Sequence, residues 1–202
     1  MLALGRLANL VLVVFSLGLL VCSAPTPSAM HGQKSGKLHM LAVRGHHEGA
    51  GNVKLLLGAV VDLKAKVVAR ADAIVNIKAD ALGEAQVEIN KLVADIEHYS
   101  NTIASLTNLN VDAKFKASIA AHVLVAIKTI LKICASLTAK FGIQVFLELF
   151  AKLDLCLKVL LRSLDVCMDG FLVSLGNILV EADMKALVGA KLIVCHDLFV
   201  LI

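Results

Sequence analysis

Both prolines of this 202-residue chain, Pro25 and Pro27, lie near its N-terminus, and the body from residue 52 to residue 202 contains none. A proline inside a helix removes a backbone donor and clashes with the preceding turn, at a cost of about 3 kcal/mol. A stretch this long without one points to helices.

Periodicity makes that specific. Leu82, Ala85, Ile89, Leu92, Ile96, Tyr99, Ile103 and Leu106 alternate steps of three and four, with Glu84, Glu88, Lys91, Asp95 and Glu97 off the stripe. Val53, Leu56, Val60, Leu63, Val67, Ala71 and Ile74 repeat the pattern and predict a first helix over 52–79. A third helix is expected from an N-cap at Asn110 or Asp112 to a C-cap at Gly142, with a face wide enough for neighbours on two sides. The fourth, over 143–180, should be the most buried, with a break at Gly170 or Gly176. A fifth, capped by Asp183, should run to the C-terminus with Leu187, Val194, Cys195, Leu198 and Leu201 inward. The expected fold class is all-α, a single bundle of about five helices over 52–202.

The N-terminus reads differently. Arg6, the apolar run Leu7 to Val21, the small residues Cys22, Ser23 and Ala24, and the proline pair have the order of a secretory signal peptide over 1–23, with cleavage after Ser23. The run is short for a membrane span, which takes about 20 apolar residues, so an uncleaved anchor is the lesser reading. Residues 24–51 are rich in Pro, Ser, Gly and His without apolar period, and are expected to be a disordered lead. The C-terminal tail is interrupted by Lys191, His196 and Asp197 and lacks the form of a lipid-anchor signal. Secretion, to the extracellular space or cell wall, is the expectation from the leader.

In an oxidising compartment the four remaining cysteines, Cys134, Cys156, Cys167 and Cys195, are disulfide candidates. Leu153-Asp154-Leu155-Cys156-Leu157 recurs eleven residues later as Leu164-Asp165-Val166-Cys167-Met168. On a continuous helix Cys156 and Cys167 stand about 16 Å apart and cannot pair with each other. Hairpin geometry favours Cys134 with Cys156 and Cys167 with Cys195, over Cys134 with Cys167 and Cys156 with Cys195. The bland alternative is four buried thiols acting as small apolar side chains.

Residues 48–202 carry 16 basic and 16 acidic side chains, and the chain has one Tyr and no Trp. Neither a phosphate-tracking stripe nor a stacking platform is present, so nucleic acid is not an expected partner. No P-loop, nucleophile elbow, zinc-protease helix or zinc-ribbon spacing occurs. Gly49-Ala50-Gly51 has no strand before it and reads as a hinge. His31, His39, His46 and His47 fall in the lead, where His46-His47-Glu48 is the best local chelating set, yet nothing holds it in place. His122 and Glu148 sit in apolar runs and read as boundary residues with hydrogen-bond partners rather than as catalysts. No catalytic, metal-binding or cofactor-binding residue is assigned, no cofactor is expected, and the chain reads as a non-enzyme.

What remains is apolar surplus: 58% of residues are hydrophobic although only 4% are aromatic. It has three sensible destinations, an oligomer interface, an apolar ligand enclosed between helices, or contact with lipid or another hydrophobic surface. The stretches Ser100-Asn101-Thr102-Ile103-Ala104-Ser105-Leu106 and Ala117-Ser118-Ile119-Ala120-Ala121 give the chain a look that resembles the fungal hydrophobic surface-binding and cell-wall galactomannoproteins. These are small secreted helical proteins rich in Ala, Leu, Val, Ser and Thr, and the resemblance is one of composition and layout over 52–180. It implies a secreted helical protein that adsorbs to apolar material, and assigns no site residues. The four cysteines depart from that family, and the chain has no Asn-x-Ser/Thr sequon, so any sugar would be O-linked, for instance near Thr26 and Ser28. The expectation is therefore a secreted protein that binds lipid, an apolar ligand or a hydrophobic surface through its helices. The alternative is a cell-wall or effector-type interaction module, such as a homo-oligomer.

Overall fold

The computed structural model describes residues 46–201, with side chains from residue 51. The signal peptide expected over 1–23 and the lead over 24–45 lie outside the described residues. Seven α-helices succeed one another: α1 (His46–Val75), α2 (Leu82–Ala104), α3 (Ala113–Phe141), α4 (Leu147–Cys167), α5 (Phe171–Gly176), α6 (Glu181–Gly189) and α7 (Ile193–Val200), with a 3-10 turn at Ile143–Phe146 and no strand among the described residues. The all-α expectation holds, with two differences in extent. The first helix begins at His46, so the last residues of the expected lead are helical. The expected fifth helix is two, α6 and α7.

The stripes read from the sequence become the core. Leu56, Leu63, Val67 and Ile74 of α1, and Ala85, Ile89, Leu92, Ile96 and Ile103 of α2, are all but inaccessible. On α3, Asp112 caps the first turn by accepting from Phe115 N at 2.7 Å. The helix stops at Gly142, whose φ of +82° is open to glycine at little cost. This helix is also the one described segment long and apolar enough to cross a membrane, but half of that window is buried inside the protein. Lys140, in its last turn, reaches back and donates to the carbonyls of Ile74, Val75 and Ile77 at 3.3, 2.8 and 2.9 Å, closing the C-terminal end of α1.

The long helices pair in a non-sequential way: α1 lies along α3 and α2 along α4, while α1 and α2 form the connecting hairpin. The backbones of α3 and α4 do not run side by side, although their side chains meet across the core. The turn after Gly142 thus carries α4 away from α3 to the far side of the bundle, against α2. There Leu109 N donates to Cys167 O at 2.8 Å, fastening the loop beyond α2 to the end of α4.

This arrangement corrects the disulfide expectation: Cys134, Cys156, Cys167 and Cys195 are all free and buried. The favoured Cys134–Cys156 bridge requires α3 and α4 to be adjacent antiparallel neighbours, which they are not. The favoured Cys167–Cys195 bridge fails on distance, because Cys195 N bonds to the side chain of Asp154 at 2.8 Å. Cys167 is thirteen residues further along α4, about 20 Å away. The other set is not bridged either: Cys195 Sγ donates to the carbonyl of Asp154 at 3.4 Å and Cys156 Sγ to that of Leu153 at 3.1 Å. The thiols fill the roles of small apolar side chains.

The internal repeat has its role in the aspartates. Asp154, only 3% exposed, accepts from Val194 N at 2.7 Å and Cys195 N at 2.8 Å, the unpaired donors of the first turn of α7. Asp165 accepts from Leu172 N at 3.0 Å, in the first turn of α5. Two turns of one helix thereby cap the starts of two others, and the short C-terminal helices are anchored to α4 by charge-assisted bonds. The chain breaks between α4 and α5 at Gly170, φ +71°, and between α6 and α7 at Lys191, φ +62°. Asp183 caps α6 as expected, from the third position of the helix rather than from the N-cap, which is Val180. It sits in the first turn of α6, accepting from Val180 N at 3.2 Å and pairing with Lys128 at 3.2 Å.

Candidate functional site

The break at Lys191 resets the rotational phase of α7 relative to α6, and this decides the surface of the molecule's C-terminal end. On α7 the buried side chains are Cys195 and Leu198. Ile193, Asp197, Val200 and Leu201, spaced as i, i+4, i+7 and i+8, share the opposite side. Leu201, expected to point inward on one continuous helix, is 81% exposed; Val200 is 62% and Ile193 41% exposed. Helix α7 is thus apolar on both faces, one packed on α4 and one facing water. Asp197 is the one charge on its outer face, with His196 Nδ1 at 3.2 Å from its carboxylate.

The surrounding elements continue this character. Val173, Ile178, Val180 and Val188 are also exposed, so residues 171–201 hold seven of the seventeen large apolar side chains that stand exposed among the described residues. Helix α4, covered by α2 on one flank and α7 on the other, leaves Leu155, Val159 and Val166 in water between them.

The space between the four long helices, walled by Val60, Leu63, Ile96, Val123, Ile127 and Leu160, amounts to about 10 Å³, at most the room for one water. Larger hollows are open grooves on the outside, one of about 390 Å³ between Ser100 and Asn101 of α2 and Leu155, Cys156 and Val159 of α4. Another, of about 570 Å³, runs beside Gly51, Gly58 and Tyr99, between α1 and α2.

The ionisable groups are committed to holding helices together. Arg70 of α1 binds Asp95 and Glu88 of α2, each at 3.1 Å, while Lys66 adds to Asp95 at 3.2 Å and Lys91 to Glu88 at 2.7 Å. Lys91 and Arg70 hold the Glu88 carboxyl below its ordinary range. His122, half-buried, has Lys64 Nζ at 3.4 Å from its Nδ1, and burial together with that cation lowers its pKa, so the ring accepts as the neutral form. Glu148, expected at a boundary with a hydrogen-bond partner, stands in solvent and has its partner in Lys152 one turn on. Burial pushes the thiols of Cys134 and Cys156 up to about 12, Cys156 with help from Glu97, and raises those of Cys167 and Cys195 as well, which makes them poor nucleophiles. Among the described residues no group of three or more His, Cys, Asp or Glu side chains could hold a metal ion. His46 and His47 fall in the first turn of α1, and His31 and His39 lie outside the described residues.

Sequence alone does not reveal the outer face of α7, because its signal, apolar residues at i, i+7 and i+8 beside a second apolar stripe, is hidden until the break at Lys191 is known. Comparison of the chain with known protein families, with curated proteins and with solved structures finds no match.

Proposed function

We propose that this is a secreted, non-enzymatic helical protein that binds hydrophobic surfaces or lipid through the outward apolar face of its C-terminal helices. The observation that carries the reading is α7, a helix already packed on one side that turns Ile193, Val200 and Leu201 to solvent on the other. Contiguous exposed apolar side chains mark surfaces that bind partners, ligands or lipid. The hollow between the four long helices, about 10 Å³, is too small for a lipid chain, which favours uptake on the outside of the bundle. Covering the partly exposed side chains of this face is worth on the order of 4 kcal/mol, enough for reversible adsorption. The leader pattern supplies the argument for secretion. The layout resemblance to fungal hydrophobic surface-binding proteins points the same way.

The test is partition of the purified chain onto hydrophobic particles, compared with the variant in which Ile193, Val200 and Leu201 are all serine. The variant should lose at least about tenfold in affinity. Equal partition of the two proteins, or none by either, would end the proposal. A stable oligomer in sedimentation with no adsorption would favour a protein-interaction module instead.

A further inference from the structure

Helix α1 is held differently on its two flanks. Toward α2 it is tied by ion pairs, Arg70 to Asp95 and Glu88, each at 3.1 Å, and Lys66 to Asp95 at 3.2 Å. Lys91 and Arg70 hold Glu88 below its ordinary range, so it stays charged in mild acid. Toward α3 the seam is apolar, with Val60, Leu63 and Val67 opposite Val123, Ile127 and Ile130. Two polar contacts cross it among the described residues. Lys140 reaches the C-terminal end of α1, and midway Lys64 Nζ stands 3.4 Å from His122 Nδ1.

No carboxylate answers the Lys64–His122 pair. Helix α3 has no Asp or Glu over Ala113–Phe141, and its charges on either side of His122, Lys116 and Lys128, go to the carbonyl of Asp169 and the carboxylate of Asp183. On α1 the residues one turn from Lys64 are Val60, Val61, Val67 and Val68, while Asp62 lines the groove toward His98 and Tyr99 of α2. From α2 and α4, Ile96, Leu157, Leu160 and Leu161 reach the hollow beside the ring, all of them apolar. Helices α5 and α6 also lie on α3: α5 has no charged residue, and Glu181 and Lys185 of α6 pair with each other.

The neutral ring accepts from Lys64 through Nδ1, and Nδ1 is where a second proton goes. Protonation ends that bond and sets two cations in contact. Lys64 is half-buried and can turn its ammonium out to water, but this leaves the Nδ1–H of a half-buried imidazolium without an acceptor beside an apolar hollow. We propose that the α1–α3 seam is an acid-sensitive joint, in which protonation of His122 loosens α1 from α3 while the ion pairs of Arg70 and Lys66 keep it on α2. The device is local: acid raises the frequency with which this seam opens and leaves the α2–α4 seam closed.

The experiment is amide hydrogen exchange on the full chain at about pH 8 and about pH 5, with rates corrected for the intrinsic pH dependence of exchange. Amides near Leu63 and Val67 of α1 and near Val123 and Ile127 of α3 should lose at least about twofold in protection in acid. Those near Ile96 of α2 and Leu160 of α4 should hold. His122→Gln keeps a hydrogen-bond acceptor but takes no proton, and should abolish the acid effect. Lys64→Glu puts a carboxylate opposite the ring and should reverse its sign, so that protection of the seam rises in acid; this arm decides the matter even if the glutamine variant is loosened at both pH values. Equal protection of the unaltered seam at the two pH values would overturn the proposal. So would a loss spread evenly over all four long helices, an acid effect that survives in His122→Gln, or a Lys64→Glu protein that loosens in acid as the unaltered chain does.

Discussion

Replacing Asp154 with alanine is the sharpest probe of how the C-terminal end is held. Its carboxylate makes two bonds to backbone N–H groups, at 2.7 and 2.8 Å, in a site 3% exposed. Bonds to a charged partner contribute about 1.5–3 kcal/mol each, and a negative charge at a helix N-terminus adds about 0.3–1 kcal/mol. Asp154→Ala should therefore cost about 3–7 kcal/mol, a large fraction of the 5–15 kcal/mol or so typical of a whole domain. Asp154→Asn keeps one acceptor and should fall about midway. The loss should also be local, because α7 packs only on α4 and α6 among the principal helix pairs. Urea unfolding monitored by circular dichroism gives the total, and amide hydrogen exchange at Val194 and Cys195 gives the location. A shift in stability below about 1 kcal/mol for the alanine variant, or protection at those two amides as in the unaltered chain, would refute the reasoning.

Further consequences can be checked in the same assays. With the thiols of Cys134 and Cys156 raised to about 12 against 9.0 when exposed, the unfolded chain releases protons first, so stability is intact below pH 9 and declines between 9 and about 12. A disulfide-exchange reagent at neutral pH should titrate the four buried thiols of the body slowly until denaturant is added. His122 has the opposite sign: its folded pKa is lowered by burial and by Lys64, so its contribution is present above the ordinary value of 6.5 and lost as pH falls. The urea midpoint should drop as the pH falls below 6.5, and less so in His122→Gln. Lys140→Met, which keeps the aliphatic stem and removes the three carbonyl contacts, should cost about 1–2 kcal/mol; an unchanged midpoint would deny Lys140 its role in closing α1.

The parts of this fold that are legible in sequence are those set by neighbours along the chain. The three-four stripe of α2, the Asp112 cap and the Gly142 stop each involve residues within a turn or two of one another, and each appears where it is expected. The misreadings come from partners far away. Asp154 meets Val194 forty residues on, so the repeat draws the eye to its cysteines while its aspartates hold the C-terminal helices. The disulfide expectation assumes that successive helices pack as hairpins, and fails where α4 crosses to α2. Leu201 reads as an inward residue because Lys191, a non-glycine residue at φ +62°, gives no local sign of breaking a helix. The candidate face on α7 is out of reach of sequence for the same reason.

The pairing of α2 with α4 and of α1 with α3 also governs when a nascent chain can finish folding. Ile89, Leu92, Ile96 and Ile103 have no complete partner until residues 147–167 have been synthesised. A half-made chain therefore owns helical segments but no closed core, and contacts of such long sequence separation form late. Completion of the core waits for the C-terminal third of the chain.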